Sequence, residues 1–163
     1  FQYFLSVMRP ESRGAVTLAS RDPRAAPRIR FNFLTESADC KQMIEGIRLT
    51  RTIIRQKGWD ELRGAEVSPG DDVQSDSELE AWIRANAGTG YHAAGTCRMG
   101  SDGMAVTDSE GRVHGIAALR VADASLMPRL VTGNTNAVSI MIGEKLADRI
   151  LGRPPLAPAR VGR

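Results

Sequence analysis

The sequence lacks a long apolar run, since no stretch approaches the ~18 consecutive apolar residues that a membrane-spanning helix needs. It also lacks a strong charge of one sign, because 22 basic residues stand against 19 acidic ones. The arginines are scattered along the chain and form no basic tract. A basic tract is the usual sequence sign of nucleic-acid binding. These two absences disfavour a transmembrane segment and a nucleic-acid partner.

Cysteine is scarce as well. The two cysteines, Cys40 and Cys97, have no metal-ligand spacing, so the sequence predicts no cysteine-based metal site. A disulfide between them depends on the fold, and two reduced thiols in a cytosolic protein are the simpler interpretation. We therefore expect a cytoplasmic protein, or one peripheral to a membrane.

The rest of the composition is that of an ordinary globular domain, with 42% hydrophobic and 25% charged residues in 163 residues. Apolar alternation followed by helical periodicity predicts an α+β fold, in which helices flank a small antiparallel sheet. The expected strands are residues 1–8, 15–19 and 28–33, with two more at 112–115 and 119–122. The expected helices are residues 37–56, 75–87 and 137–151. Ser75, followed three residues later by Glu78, predicts a capping box at the start of the second helix.

Three segments stand out from this pattern. Residues 90–100 read GYHAAGTCRMG and place an imidazole between glycines. Residues 118–128 read ALRVADASLMP, an apolar strand that ends in an acidic turn. Residues 133–137 read GNTNA and precede the last predicted helix. From the residues alone, His92 is compatible with a structural role, Asp123 with a turn former, and Asn134 or Asn136 with a helix cap.

The three segments together, in this order, resemble the C-terminal signature of the glucose-methanol-choline (GMC) family of flavin-dependent alcohol oxidoreductases. The upstream residues RPESRGAVTLASRDPRAAPRIRFNFL and RGAEVSPGDDVQSDSELEAWIR extend the resemblance over nearly the whole chain. The sequence departs from the family pattern at Ala93 and Ala94, where the family usually has Pro and Val.

The resemblance implies roles for individual residues. His92 falls on the position of the catalytic base, and Asn134 falls on the second active-site position, which hydrogen-bonds the substrate oxygen. A base with an ordinary pKa near ~6.5 suits removal of an alcohol proton at neutral pH. Tyr91 would contact the substrate, a choline-like primary alcohol; from the residue alone, a buried core tyrosine is an equal alternative. The residues expected to contact the FAD cofactor are Asp123, Ala124, Thr135 and Asn136.

The resemblance also implies a domain organisation. Residues 1–92 would belong to the substrate-binding domain, residues 93–152 would return to the flavin domain with a strand and a helix, and residues 153–163 would form a tail. The Gly-x-Gly-x-x-Gly turn that cradles the FAD diphosphate has no match in these residues. The expected partner is therefore an N-terminal flavin-binding part. The alternative is a standalone, non-catalytic binding module of the same fold, and the coding sequence upstream distinguishes the two.

Overall fold

The computed structural model describes residues 1–154 and 157–159, and the chain divides into two compact units, one ending at Gly90 and the other beginning at Tyr91. The boundary predicted from sequence lies two residues further along, between residues 92 and 93. The assignment of each part to a substrate or flavin domain stays a prediction. Residues 155–156 and 160–163 of the predicted tail lie outside the described residues.

Two helices form the core of the first unit. Helix α1 spans Ser37–Ile54 and helix α2 spans Asp76–Asn86. Apolar residues recur at helical spacing in each helix, so each has one face that can be buried. The buried members of this cluster are Cys40, Ile44, Ile47, Leu79 and Ile83. Both helices agree with the predicted ones to within a few residues.

Helix α2 begins with the capping box that the sequence predicts. The Ser75 hydroxyl accepts a hydrogen bond from the backbone N–H of Glu78, and the Glu78 carboxylate accepts one from the backbone N–H of Ser75. These reciprocal bonds satisfy two amides that a helix start would otherwise leave without partners. The capping box therefore fixes where α2 begins.

Two buried charged residues attach loops to α1. The Asp39 carboxylate accepts hydrogen bonds from the backbone N–H groups of Glu11 and Ser12, at 2.7 and 2.9 Å. The Arg51 guanidinium donates two hydrogen bonds of 2.8 Å to the Glu66 carboxylate. Buried charges need such partners, because desolvation without compensation is costly.

The sheet is small and antiparallel. Strand β1, Ala15–Thr17, pairs with strand β2, Arg28–Arg30, and Val16 lies opposite Ile29. The strand predicted at residues 1–8 is wrong, because this segment has no β-pairing among the described residues. Two of its apolar side chains contact neighbouring residues instead. Leu5 belongs to the α1–α2 cluster, and the Phe1 ring lies 5.2 Å from that of Trp59, between centroids.

The second unit is built on helix α3, Asn136–Ile150, and on a 3-10 turn at Ala124–Leu126. Leu126 and Met127 are buried against Ile142 and Leu146 of α3. Residues 95–99 extend alongside the 3-10 turn. The helix prediction for residues 137–151 is thus confirmed with a shift of one residue at each end.

The strands predicted at residues 112–115 and 119–122 are wrong in extent. Within the described residues this region forms isolated β-bridges, which pair Thr107 with Val113 and Arg112 with Arg120. Positive φ angles at Gly111, Gly115 and Ala118 (71°, 75° and 60°) interrupt the extended backbone that a strand requires. The α+β class is confirmed by the two-stranded antiparallel sheet and three helices of the described residues. In that part of the chain, no helix combines the length and apolar character needed to cross a membrane.

Candidate active site

The segment that carries His92 is joined to the acidic turn by backbone hydrogen bonds. Three N–H groups from residues 95–99 donate to three consecutive carbonyls of the 3-10 turn. The pairs are Gly95 to Ala124 at 3.3 Å, Cys97 to Ser125 at 3.0 Å, and Met99 to Leu126 at 2.9 Å. Two of the three segments that the sequence singled out are therefore neighbours in the second unit.

Gly95 has a left-handed backbone conformation where it contacts the acidic turn. Its φ is +84°, and a Cβ at this position would lie 3.1 Å from the carbonyl oxygen of Met127. Glycine is the residue that tolerates both conditions without strain. The close approach at Gly95 is thus to the protein's own backbone.

The third segment reaches His92 through Thr135. His92 is half-buried, and its Nδ1 lies 2.9 Å from the Thr135 Oγ1. The backbone N–H of Thr135 also points at Nδ1, over a longer distance of 3.4 Å. Both contacts occupy the same ring nitrogen. Proton exchange with a bound ligand would therefore use the other nitrogen, Nε2.

Thr135 is the N-cap residue of α3, yet its side chain makes no capping hydrogen bond. The hydroxyl is directed to His92 instead, while the Thr135 carbonyl accepts hydrogen bonds from the N–H and the hydroxyl of Ser139, at 2.9 and 2.8 Å. Neither Asn134 nor Asn136 caps the helix, so the capping interpretation of these asparagines is wrong. Asn136 is the first residue of α3, and both asparagines are exposed.

Asp123 occupies the N-cap of the 3-10 turn. Its Oδ1 accepts hydrogen bonds from the backbone N–H and the hydroxyl of Ser125. The turn-forming role considered for this residue is therefore present in the structure. Asp123 is exposed, and Ala124 is half-buried beside the α3 cluster.

Tyr91 precedes His92 with a φ of +60°, and 88% of its surface is exposed. A tyrosine in the left-handed region is uncommon, and such conformations concentrate at functional sites. The considered role of a buried core tyrosine is wrong for Tyr91. Its ring is accessible from solvent in this unit.

The loop between the His92 segment and the acidic turn is stabilised by an ion pair and by a close backbone approach at a glycine. The Asp108 carboxylate accepts hydrogen bonds from the side chain and the backbone N–H of Arg112, at 2.9 Å each. The hydrogen bond from the Arg112 side chain lowers the pKa of Asp108 to about 2, so Asp108 is ionised at neutral pH. At Gly111, a Cβ would lie 2.5 Å from the Val121 carbonyl oxygen.

The second histidine has a separate environment. The Nε2 of His114 lies 3.0 Å from the carbonyl oxygen of Gly100, and the side chain is exposed. In the described residues, no cluster of His, Cys, Asp and Glu side chains is arranged to hold a metal ion. Of the two histidines, His92 is thus the one that contacts the third segment, residues 133–137, through Thr135.

Sequence reasoning assigned Thr135 to the cofactor and missed its contact with His92. The two residues are 43 positions apart. A threonine at a helix start predicts a cap, and nothing in the sequence indicates that its hydroxyl turns away from the helix. The only sequence signal was the neighbouring Asn134, which the family pattern pairs with His92.

Comparisons with known proteins give a consistent result. The family model for GMC oxidoreductase matches residues 10–143. An oxygen-dependent choline dehydrogenase of Chromohalobacter salexigens is 54% identical over 163 residues, which is 99% of this chain and 29% of that protein. One from Paraburkholderia phymatum is 54% identical over 157 residues, 96% of this chain and 27% of that protein. This chain thus spans less than a third of the length of these relatives.

Solved structures show the same likeness. A pyridoxine 4-oxidase from Mesorbium loti has a TM-score of 0.83 and 30% identity, covering 91% of this chain and 29% of that one. A formate oxidase has a TM-score of 0.83 and 34% identity, covering 90% of this chain and 26% of that one.

Proposed function

The chain belongs to the GMC oxidoreductase family, and from that premise we propose that it is the C-terminal part of an FAD-dependent alcohol oxidoreductase. The observation that carries the proposal is the contact between His92 and Thr135, which connects the half-buried imidazole to the start of α3. The partner of this chain is then an N-terminal part that supplies the rest of the FAD site. We place the enzyme in the cytoplasm or at the periphery of a membrane.

The proposed substrate is a choline-like primary alcohol. Support comes from the identity of 54% to oxygen-dependent choline dehydrogenases, which covers nearly all of this chain. Tyr91 is the proposed substrate contact, because its exposed ring immediately precedes His92. Aromatic faces attract quaternary ammonium groups, which fits a substrate of this type.

His92 and Asn134 are the proposed catalytic residues. The alcohol carbon loses a hydride and the hydroxyl loses a proton, which leaves the aldehyde. His92 takes the proton at Nε2, the nitrogen opposite its contacts with Thr135. The Asn134 amide donates a hydrogen bond to the alkoxide oxygen and does not titrate in doing so. A bound FAD supplies the hydride acceptor.

The start of α3 suits the cofactor. The backbone N–H of Ser139 donates to the Thr135 carbonyl, so the amides of residues 136–138 precede the helical hydrogen-bond ladder. Such amides, with the positive end of the helix dipole, favour a group that gains negative charge on reduction. Thr135 and Asn136 are the proposed contacts to the flavin ring system at this position. Asp123 and Ala124 are the proposed contacts to its ribityl and phosphate region.

Anaerobic mixing of the full-length, FAD-loaded protein with choline tests this proposal. The flavin absorbance should bleach as the alcohol is oxidised. Tetramethylammonium is the matched control, because it keeps the quaternary charge and has no hydroxyl to oxidise, so it should leave the flavin oxidised. Failure of choline and of a panel of primary alcohols to bleach the flavin would contradict the proposed activity.

A further inference from the structure

The Thr135 hydroxyl is in an unusual position for a helix N-cap. Threonine at an N-cap ordinarily accepts a hydrogen bond from an amide of the first turn. Here the Thr135 side chain makes no such capping bond, and the residue is buried, with 7% of its surface exposed. Its Oγ1 lies 2.9 Å from the His92 Nδ1, within the ordinary range of hydrogen bonds. The hydroxyl is thus committed to the imidazole.

The protonation of His92 depends on what faces Nδ1. A neutral imidazole carries one proton, and the nitrogen without it is the one that can act as a base. If His92 is to accept a proton at Nε2, Nδ1 must carry the ring proton and donate it to an acceptor. A hydroxyl oxygen can accept that hydrogen bond, whereas a backbone N–H can only donate.

Thr135 presents both kinds of group to Nδ1. The hydroxyl lies at 2.9 Å and the backbone N–H at 3.4 Å. The second distance exceeds the ~2.7–3.2 Å range of ordinary N–H hydrogen bonds, so the amide favours the opposite tautomer only weakly. Without the hydroxyl, the amide would be the sole Thr135 group at Nδ1, and the proton would move to Nε2.

The geometry points to Thr135 as a positioning residue that holds His92 in the tautomer competent to act as a base, with Oγ1 accepting a hydrogen bond from Nδ1–H. This inference rests on the proposed role of His92 as the proton acceptor. It gives Thr135 a function besides the cofactor contact proposed above. Thr135 acts through His92 and moves no proton to or from the substrate.

Nitrogen NMR of the imidazole rings in the full-length, FAD-loaded protein tests the tautomer directly. His92→Gln assigns the His92 signals, because it removes that set alone. In the parent chain, the His92 Nδ1 should have the chemical shift of a protonated ring nitrogen at a pH where the ring is neutral. In Thr135→Val, the proton should shift to Nε2. Thr135→Ser, which keeps the hydroxyl, should retain the parent pattern.

Thr132→Val is the matched control, because it makes the same chemical change at an exposed threonine near the start of α3. It should leave the His92 signals unchanged. The inference is overturned if the parent chain already carries its proton on Nε2, or if Thr135→Val leaves it on Nδ1. Both outcomes can be read without any enzymatic activity.

Flavin reduction in the full-length protein provides the second measurement. Thr135→Val should slow reduction by about 10²-fold, the lower range for loss of a general base. Thr135→Ser should restore most of the rate. Equal rates for Thr135→Val and the parent, or equal losses in the Val and Ser variants, contradict the inference. A parent enzyme that oxidises no alcohol contradicts the proposed function instead, and the NMR result still decides the tautomer.

Discussion

The buried Asp39 carboxylate gives the most quantitative stability prediction. Its two oxygens accept hydrogen bonds of 2.7 and 2.9 Å from the backbone N–H groups of Glu11 and Ser12, and 1% of the residue is exposed. Asp39→Asn keeps one oxygen acceptor and turns an NH₂ group toward the other amide. Hydrogen bonds to charged groups contribute about 1.5–3 kcal/mol each, so losing one of the two bonds from backbone N–H groups should cost about 2 kcal/mol.

Urea unfolding followed by tryptophan fluorescence measures this loss of stability in the unit that contains Asp39. Both tryptophans, Trp59 and Trp82, lie before Gly90, in the same unit as Asp39. Asp72→Asn is the control, because it removes the same charge from an exposed aspartate. It should change the free energy of unfolding by only a few tenths of a kcal/mol.

The stability contributed by Asp39 should also depend on pH. Burial raises the pKa of Asp39, but hydrogen bonds from the Ser12 hydroxyl and from the Glu11 and Ser12 amides more than offset burial, so the pKa lies below its ordinary value. A lowered folded-state pKa stabilises the fold above the unfolded-state pKa of about 3.9. The contribution should be complete above about pH 5 and decline as the pH falls toward the folded-state pKa.

Asp39→Asn should therefore approach the stability of the parent chain as the solution is acidified from pH 6 toward pH 3. The reasoning is refuted if the parent and Asp39→Asn chains have equal stability at pH 7. It is also refuted if the difference between them does not shrink on acidification.

Two further variants test the local geometry of each unit. Ser75→Ala removes the capping box with Glu78 and should cost about 1 kcal/mol in the same fluorescence assay, and an unchanged midpoint would contradict that cap. Gly111→Ala places a Cβ 2.5 Å from the Val121 carbonyl oxygen at a φ of +71°, so it should destabilise the second unit by about 2 kcal/mol or more. The histidine ring signals report the loss, and Gly103→Ala, which meets no atom within 4 Å, is the control that should leave them unchanged.

The helices could be predicted from the sequence because their signals are local. Apolar periodicity indicates α1 and α3, and the Ser75–Glu78 pair marks the start of α2. The strand predicted at residues 1–8 was wrong, since an apolar, aromatic composition does not reveal whether a partner strand exists. The strands near residue 115 were shortened by positive φ angles, one of them at Ala118, where the residue type gives no warning.

The candidate site was also only partly predictable from the sequence. The family pattern selected His92 and Asn134 by position, and the structure then joined the His92 segment to the acidic turn and to α3. The hydrogen bond between His92 and Thr135 could not be predicted, because it depends on the rotamer of one hydroxyl at a helix start. Local propensity favours a cap there, and tertiary contact with the imidazole prevails.

The rate of flavin reduction in the His92→Ala variant tests the central claim most directly. Rapid mixing of the full-length, FAD-loaded protein with choline under anaerobic conditions isolates this step from reoxidation. Reduction should slow by about 10²-fold or more, as expected for removal of a general base. His114→Ala should reduce its flavin at nearly the parent rate, since His114 hydrogen-bonds only a backbone carbonyl among the described residues. An undiminished rate in His92→Ala would contradict the assignment of His92 as the base.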